Sequence, residues 1–420
     1  MRWSAPLVAA IVTFGAVLLR QEGVPKPFTI WAEDGQIFAN CAFRNPTQLT
    51  CLGEVYGGYF HAVPRLGAAF ATLLPPAGLP IWLTLAAALV TAVCAALVAR
   101  VVAELSGSRI AAALAGASLA LTFQAGREVG GNLANLHWVL LVTAVVILVG
   151  QWVGRRPSGA DLGLVAAAAF SSAFAPLVAF LAVPAAIGRW PASVRVLLVT
   201  ALASVVQLGA SLAHPRNEPV ERGIDGASLL AFLAGDIVGR GAFGGRSMWL
   251  DGAVWIGLLV VAAALVRIAS RPVEARAEAR RCLVAVLALT GIGLAIVGAS
   301  VVLNQFLGPR YAYVPATLAV IALLVGAAGV SRAAGSDPTL SSIARRLARD
   351  MAAAVSIGLV VGFGLSFRLQ ARASAGPDLV AAYREAREAC EPGVGAIRLV
   401  TAPDPASGRW SVTIPCSRVP

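Results

Sequence analysis

Residues 161–187 read DLGLVAAAAFSSAFAPLVAFLAVPAAI, and the number of times this stretch crosses a bilayer decides the fold. It is either one long tilted helix or two short helices broken at Ser171-Ser172-Ala173-Phe174-Ala175-Pro176. Charge chooses between them. Arg155 and Arg156 precede the stretch, and Arg189 and Arg195 follow it. Short basic loops stay on the cytoplasmic side, so an even number of crossings must separate the two clusters. Two short helices meet that condition. The loops Arg267–Arg281, with five arginines, and Arg332–Arg349, with four, then fall on the same side. Broken membrane helices are tolerated where they line protein or a cavity, so Ser171–Pro176 is expected to face a site.

Outward from there, apolar stretches recur at roughly 5–20, 79–102, 109–123, 136–150, 161–173, 175–188, 194–212, 252–267, 282–303, 312–330 and 351–368. Many approach the roughly 20 residues that span a bilayer. The 420 residues are 58% hydrophobic and 13% charged, with a mean hydropathy of +0.79. A soluble domain carries about twice that charge. The expected fold is an all-α polytopic membrane protein with about eleven transmembrane helices, the N-terminus inside and the C-terminus outside. Arg2 and the apolar run after it imitate a signal peptide, but Gly15–Arg20 is a poor cleavage site, so this run reads as an uncleaved first span. Residues 1–368 then form the transmembrane domain, and 369–420 a small outer segment. The outer loops are about 21–78, 124–135, 213–251 and 304–311. In the third, Leu229–Val238 is apolar enough to lie on the membrane surface. In the tail, Asp378–Cys390 reads as a helix, and alternating Trp410, Val412 and Ile414 as a short strand.

The net charge of +12 does not point to nucleic acid. All but one of the 33 basic residues are arginine, the exception being Lys26, and many lie between spans. Cysteines give an independent check on sidedness. Cys41 and Cys51 fall in the first outer loop, and Cys390 and Cys416 in the tail. Pairing by segment suggests two disulfides in an oxidising compartment, the alternative being four free thiols. Cys94 and Cys282 lie in or beside spans.

The chain spends few acidic residues, yet two adjoin just past the first span, in Trp31-Ala32-Glu33-Asp34-Gly35-Gln36-Ile37-Phe38. Ionisable groups at membrane depth are costly and default to a functional reading; the alternative is a solvated acidic turn. Other costly polar residues map to the same outer ends. They are His61 and Arg65 before the second span, Arg127 and Glu128 after the third, Asn132, Asn135, His137 and Trp138 at the fourth, and Asn304, Gln305, Arg310 and Tyr311 between the ninth and tenth. All three histidines, with His214, are on this side. Singly, a histidine at a helix start is a cap, and Trp138, Tyr59 and Tyr311 suit an aromatic belt; Tyr59 reads as a belt residue. Together they suggest an outward-facing active site. Two carboxylates supply a general base or a site for a divalent cation such as Mg or Mn. Arg310, Arg127 and Arg65 suit a phosphate. Zinc-type histidine spacing, a Gly-rich phosphate loop and a local Ser/His/Asp signature are absent from the sequence.

A short first span, a carboxylate motif in the first outer loop, many spans and a small outer tail together resemble the GT-C class of integral-membrane glycosyltransferases. Trp31–Gly35, Gly58-Tyr59-Phe60-His61 with Pro64-Arg65, Asn135-Leu136-His137-Trp138 and Gly308-Pro309-Arg310-Tyr311 resemble bacterial members of that class. The resemblance implies inverting transfer of a sugar from a polyprenyl-phosphate donor to a glycan or glycolipid acceptor, outside the cytoplasmic membrane. It implies Asp34 as the base that takes the acceptor proton, with Glu33 orienting it or helping to hold a cation. Spacing alone does not choose between the two acids. Arg310 would meet the leaving phosphate beside Tyr311, with Arg127 and Arg65 as further phosphate ligands. His61, His137, Trp138 and Asn135 would line the substrate groove. Asp34→Asn is then expected to abolish transfer and leave folding intact. The alternative is a transporter or flippase for a lipid-linked glycan, which calls for polar residues through the midplane and internal repeat symmetry. The spans here are almost purely Ala, Val, Leu and Gly.

Overall fold

Apolar runs of this length satisfy their backbone groups in a bilayer only as helices, and helices are what they form. The computed structural model describes the chain except residues 1–3, 45–49, 188–190, 216–225, 245–247, 271–272, 305–307, 370, 392 and 420. Arg2, Arg189, Arg271 and Gln305, used above, lie outside the described residues. The helices are α1 (Ser4–Leu19), α2 (Asn40–Arg44), α3 (Thr50–Gly53), α4 (Ala62–Thr72), α5 (Leu79–Ser106), α6 (Arg109–Leu121), α7 (Leu136–Trp152) and α8 (Gly159–Ala169). They continue with α9 (Ala175–Ile187), α10 (Pro191–Ala213), α11 (Gly226–Ala231), α12 (Met248–Ala269), α13 (Val273–Asn304), α14 (Tyr313–Ser336), α15 (Ser342–Leu365) and α16 (Leu379–Ala386). Two hairpins complete the chain, β1 (Val55–Tyr56) with β2 (Tyr59–Phe60), and β3 (Ala396–Val400) with β4 (Ser411–Pro415).

Each apolar stretch read from the sequence falls on one of these helices. Among the described residues, six helices are long and apolar enough to cross a membrane: Pro76–Ser106, Pro191–Ala213, Trp249–Ala269, Ala275–Ser300, Arg310–Ser336 and Ser342–Leu365. The others are shorter apolar helices, as is Gly226–Val238, which contains the stretch assigned to the membrane surface. The bundle is a membrane-embedded all-α protein. Its centre is α7 and α14, buried from Leu136 to Gln151 and from Tyr313 to Val330. Around them α9, α10, α12 and α15 expose Phe180, Leu198, Leu212, Leu259 and Ile357, a surface that suits lipid.

The 161–187 stretch is two helices, and neighbours satisfy the backbone freed at the break. Ser171 Oγ accepts from Val63 N at 3.0 Å, and Ala169 O accepts from Gln207 Nε2 at 3.2 Å. Pro176 sits in the first turn of α9, where a missing N–H costs nothing. At the far end of α7, about 25 Å away at 1.5 Å per residue, buried Asp161 takes Arg155 at 2.9 Å and also Arg100. Arg155 reaches Glu104 at 2.6 Å as well. This network ties the ends of α5, α7 and α8.

At the cavity end, Arg20 follows α1 and is 2% exposed. It donates to Phe367 O at 3.0 Å, Thr122 O at 3.0 Å, Ser366 O at 2.9 Å and Ala120 O. One guanidinium thereby gathers the ends of α1, α6 and α15.

The tail, residues 369–420, has no core of its own. Leu379, Tyr383, Ile397, Leu399, Val412 and Ile414 share one cluster with Ile30, Trp31, Phe38, Leu79 and Leu133. Asn40 splices the first loop to β4, its Oδ1 accepting from Thr413 N at 2.6 Å and its Nδ2 donating to Ser411 O at 3.3 Å. Gly35 is where this hairpin lands: a Cβ there would lie 3.2 Å from both Ile30 Cγ2 and Thr401 Cγ2. The disulfides are Cys41–Cys51 and Cys390–Cys416, and Cys94 and Cys282 are free and buried. The expected tail helix is α16, capped by Asp378. The expected strand is β4, in register with β3 so that Arg398 faces Thr413.

Arg20→Leu removes the donors to four carbonyls around one buried site, although Thr122 O also accepts from Gly126 N at 3.3 Å, so it is expected to cost about 3 kcal/mol. Thermal unfolding of the purified protein in detergent reads this; an unchanged midpoint would show that Arg20 is not the staple described.

Candidate functional site

The acidic pair opens a π-helical turn, Asp34–Ala39, and neighbouring side chains on such a turn leave in different directions. Asp34 points away from the cavity described below. Its Oδ2 accepts from Leu133 N and its Oδ1 from Ala134 N, each at 2.8 Å. Burial pushes its carboxyl up, against the pull of these two amides and of Lys26. Lys26 is also buried, and burial pushes its ammonium down while Asp34 pushes it back up.

Loop 130–135 is fixed from inside as well. Asn132 Nδ2 donates to Glu128 O at 2.7 Å, and Asn132 Oδ1 accepts from Asn135 N at 2.9 Å. Asn135 Nδ2 reaches the same Glu128 carbonyl at 3.3 Å. The loop delivers α7 with Asn135 as its N-cap residue and His137 and Trp138 in its first turn. His137 Nδ1 lies 2.8 Å from Ala134 O. A carbonyl can only accept, so Nδ1 carries the proton.

The cavity, about 90 Å³, lies where these elements meet. Its wall comprises Glu33, Phe38, Tyr56, Gly57, Tyr59, His61, Ala134, Asn135, His137, Trp138, Ala173, Phe174, Arg310 and Tyr311. The helix break at Ser171–Pro176 does face a site, through Ala173 and Phe174. Aromatic rings form most of the wall. Tyr59 and His61 are 4.0 Å apart between centroids, His137 and Trp138 4.6 Å, and Trp138 and Tyr311 5.3 Å edge to face.

Seven sequence candidates therefore converge: Glu33, His61, Asn135, His137, Trp138, Arg310 and Tyr311. Three do not reach the cavity wall. Asp34 is the clamp just described. Arg65 is buried, 5.4 Å from the Phe38 ring centre and 3.8 Å from Glu54 Oε2. Arg127 rides on the π-helical turn Ala125–Val129, with its guanidinium 5.9 Å from the Phe123 ring centre. Tyr59 is corrected from belt to cavity. The signal was present in Tyr56-Gly57-Gly58-Tyr59, where both glycines have positive φ, +61° and +83°. Two such residues make the tight turn of a β-hairpin, which swings Tyr56 and Tyr59 against His61. Phe38 and Tyr56 were missed, because an aromatic residue in an apolar chain carries no positional signal.

Electrostatics distinguish Glu33. Burial raises its carboxyl and the nearby Arg310 lowers it, with a net upward shift. Among the described residues, Glu33 Oε2 has no hydrogen-bond partner. His61 donates from Nε2 to Tyr56 O at 3.1 Å; burial first, and then His137, hold its pKa well below the usual value. Arg310 Nη1 is 3.5 Å from Glu128 Oε1, which also takes Arg372 Nη1 at 3.1 Å.

The acidic pair does not fit one divalent cation. Both Asp34 oxygens are engaged by backbone amides, and Glu33 lines a different space. Among the described residues, the one cluster of potential metal ligands is Cys41, Cys51 and Glu54, whose two sulfurs are bonded to each other. No protein-family model matches the chain, and no curated protein matches it.

Asp34→Asn turns one acceptor oxygen into a donor against a backbone N–H, so it is expected to lower stability by about 1–3 kcal/mol. Glu33 has donors in its own backbone amide and the Trp31 side chain but leaves Oε2 without a partner among the described residues, so Glu33→Gln keeps an oxygen for those donors and is expected to stay within about 0.5 kcal/mol of wild type. Chemical or thermal unfolding of the two variants side by side checks this, and equal destabilisation would contradict the division of roles.

Proposed function

We propose that the chain is a GT-C-class membrane glycosyltransferase. In this reading it moves a sugar, with inversion, from a polyprenyl-phosphate donor to a glycan or glycolipid acceptor at the extracytoplasmic face of a bacterial inner membrane. It crosses the bilayer about eleven times, N-terminus inside, with its basic loops on the cytoplasmic side. The two disulfides lie on the cavity side, which agrees with an oxidising compartment there.

One observation carries the reading. Glu33, 33 residues into the chain, and Arg310, beyond the ninth span, line a single small aromatic cavity at one end of the bundle. A carboxylate able to take a proton and a guanidinium able to receive a phosphate are the two groups that transfer from a lipid phosphate requires. The aromatic wall offers faces to a sugar ring. Polar side chains gather at the two ends, while α7 and α14 are predominantly apolar between, which suits an enzyme at one surface better than a translocation path.

In this reading the base is Glu33 rather than Asp34, because Glu33 lines the cavity and both Asp34 oxygens are held by backbone amides. The Glu33 carboxylate takes the acceptor hydroxyl proton as that oxygen attacks the anomeric carbon. The bond from that carbon to the donor phosphate oxygen breaks on the opposite face. Its electron pair leaves with the phosphate, whose charge Arg310 meets. Asp34 is a positioning residue: through Leu133 and Ala134 it sets Asn135, His137 and Trp138.

Glu33→Gln is expected to lower transfer by about 10²–10⁴-fold in membranes supplied with a panel of polyprenyl-phosphate sugars. Arg310→Ala should lose transfer as well, and robust transfer by either variant would end the reading. The raised Glu33 pKa fixes the sign of the pH profile. A carboxyl shifted up stays protonated to higher pH, so activity should fall on acidification at a pH above the ordinary carboxylate range. The same shift makes the folded state bind this proton more tightly than the unfolded chain. Protonating Glu33 therefore adds stability, and loss of transfer should precede loss of fold. An acid limb that coincides with unfolding would contradict this.

A further inference from the structure

Arg310 carries the phosphate role, yet a buried carboxylate already holds it. Glu128 is on the π-helical turn before α7, with its side chain 1% exposed. Two arginines share its Oε1. Arg310 approaches at 3.5 Å, long for a hydrogen bond, and Arg372 at 3.1 Å is a formed one. Arg310 lines the cavity; Glu128 and Arg372 do not. Arg372 belongs to the tail and lies 5.7 Å from the Trp31 ring centre, two residues from Glu33. Glu128 itself is anchored, since its carbonyl takes the amides of Asn132 and Asn135. Its Oε2 has no partner among the described residues.

We infer that Glu128 and Arg372 form a charge-exchange pair for Arg310: Glu128 holds Arg310 at rest, and Arg372 alone neutralises Glu128 when a phosphate monoester draws Arg310 into the cavity. The inference rests on the proposed function. Its physical basis is the cost of leaving a buried carboxylate uncompensated. Were Arg310 the sole cation on Glu128, every phosphate bound would impose that cost. With Arg372 in place, Arg310 leaves a carboxylate that remains paired and hydrogen-bonded. Arg372 is thus a positioning residue that acts through Glu128. The tail contributes to binding of the lipid phosphate without touching it.

The test is a binding cycle on the full chain in lipid nanodiscs, with radiolabelled farnesyl phosphate as probe and farnesol as the uncharged control. R372A is expected to weaken farnesyl phosphate binding by about tenfold or more, the equivalent of about 1.4 kcal/mol per decade, with farnesol unaffected. R372K, which keeps the charge, should stay close to wild type. E128Q should bind at least as tightly as wild type, because Glu128 then no longer competes for Arg310. In the E128Q background, R372A should cost nothing. Wild-type affinity in R372A overturns the inference. So does an equal loss with and without E128Q, which would make Arg372 a fold anchor or a direct ligand. R310A separates the levels: if it binds the probe as wild type does, or if wild type does not prefer the phosphate to the alcohol, the proposed function falls and this inference with it.

Discussion

Two hydrogen bonds of 2.8 Å, from Leu133 N and Ala134 N to the Asp34 carboxylate, carry the arrangement of the cavity end. They join the loop after α1 to the loop before α7, about a hundred residues apart in the chain. Both partners are buried, so water does not compete, and a charge-assisted bond in such a place is worth more than a neutral one at the surface. Once Asp34 is committed there, Glu33 must leave the turn in another direction, toward the cavity. The position of α7 follows too, and with it Asn135, His137 and Trp138. An acid that looks reactive in the sequence serves as the strut for the one beside it.

The charges at this end form a short series: Glu33, Arg310, Glu128, Arg372. Signs alternate, which lets four ionised groups share a poorly solvated region without a large net field. The series also links three parts of the chain, since Glu33 belongs to the first loop, Glu128 and Arg310 to the turns after α6 and before α14, and Arg372 to the tail. The opposite end has its own cluster, in which Asp161 holds Arg100 and Arg155. The two clusters pin α7 at both ends, and between them its packing is apolar.

The tail explains itself through the same region. About fifty residues with one short helix and one hairpin bury too little surface to fold alone. Here they borrow the first loop's apolar face, with Ile397, Leu399, Val412 and Ile414 against Ile30, Trp31 and Phe38. Gly35 permits the approach by offering no side chain. The disulfides close each partner on itself, so the joint between them is packing plus hydrogen bonds across it: those of Asn40 to β4, Ala402 N to Ile30 O, Glu22 N to Leu369 O, and Arg418 to Thr72 O.

Much of this was legible beforehand. Span-length apolar runs specify helices because a bilayer offers backbone groups no other partner, so the helices, the 171–176 break and the crowding of polar residues at one end were readable. Cysteine placement by segment foretold both disulfides. Hydrophobic alternation marked β4, but β3, a strand of the same five-residue length with Ile397 and Leu399 buried, was missed. What the one-dimensional pattern does not contain is direction. Adjacent residues on a helical turn project about 100° apart, so Glu33 and Asp34 are equivalent as letters and divergent in space. The same holds for the arginines: Arg65, Arg127 and Arg310 share a charge and a depth, and only packing against Phe38, Phe123 and Glu128 determines which of them meets the cavity. Composition and periodicity thus determined the helices and where ionisable groups are concentrated, because those depend on burial along the chain. The tertiary structure decided which of those groups face one another, because that depends on contacts between segments a hundred or more residues apart.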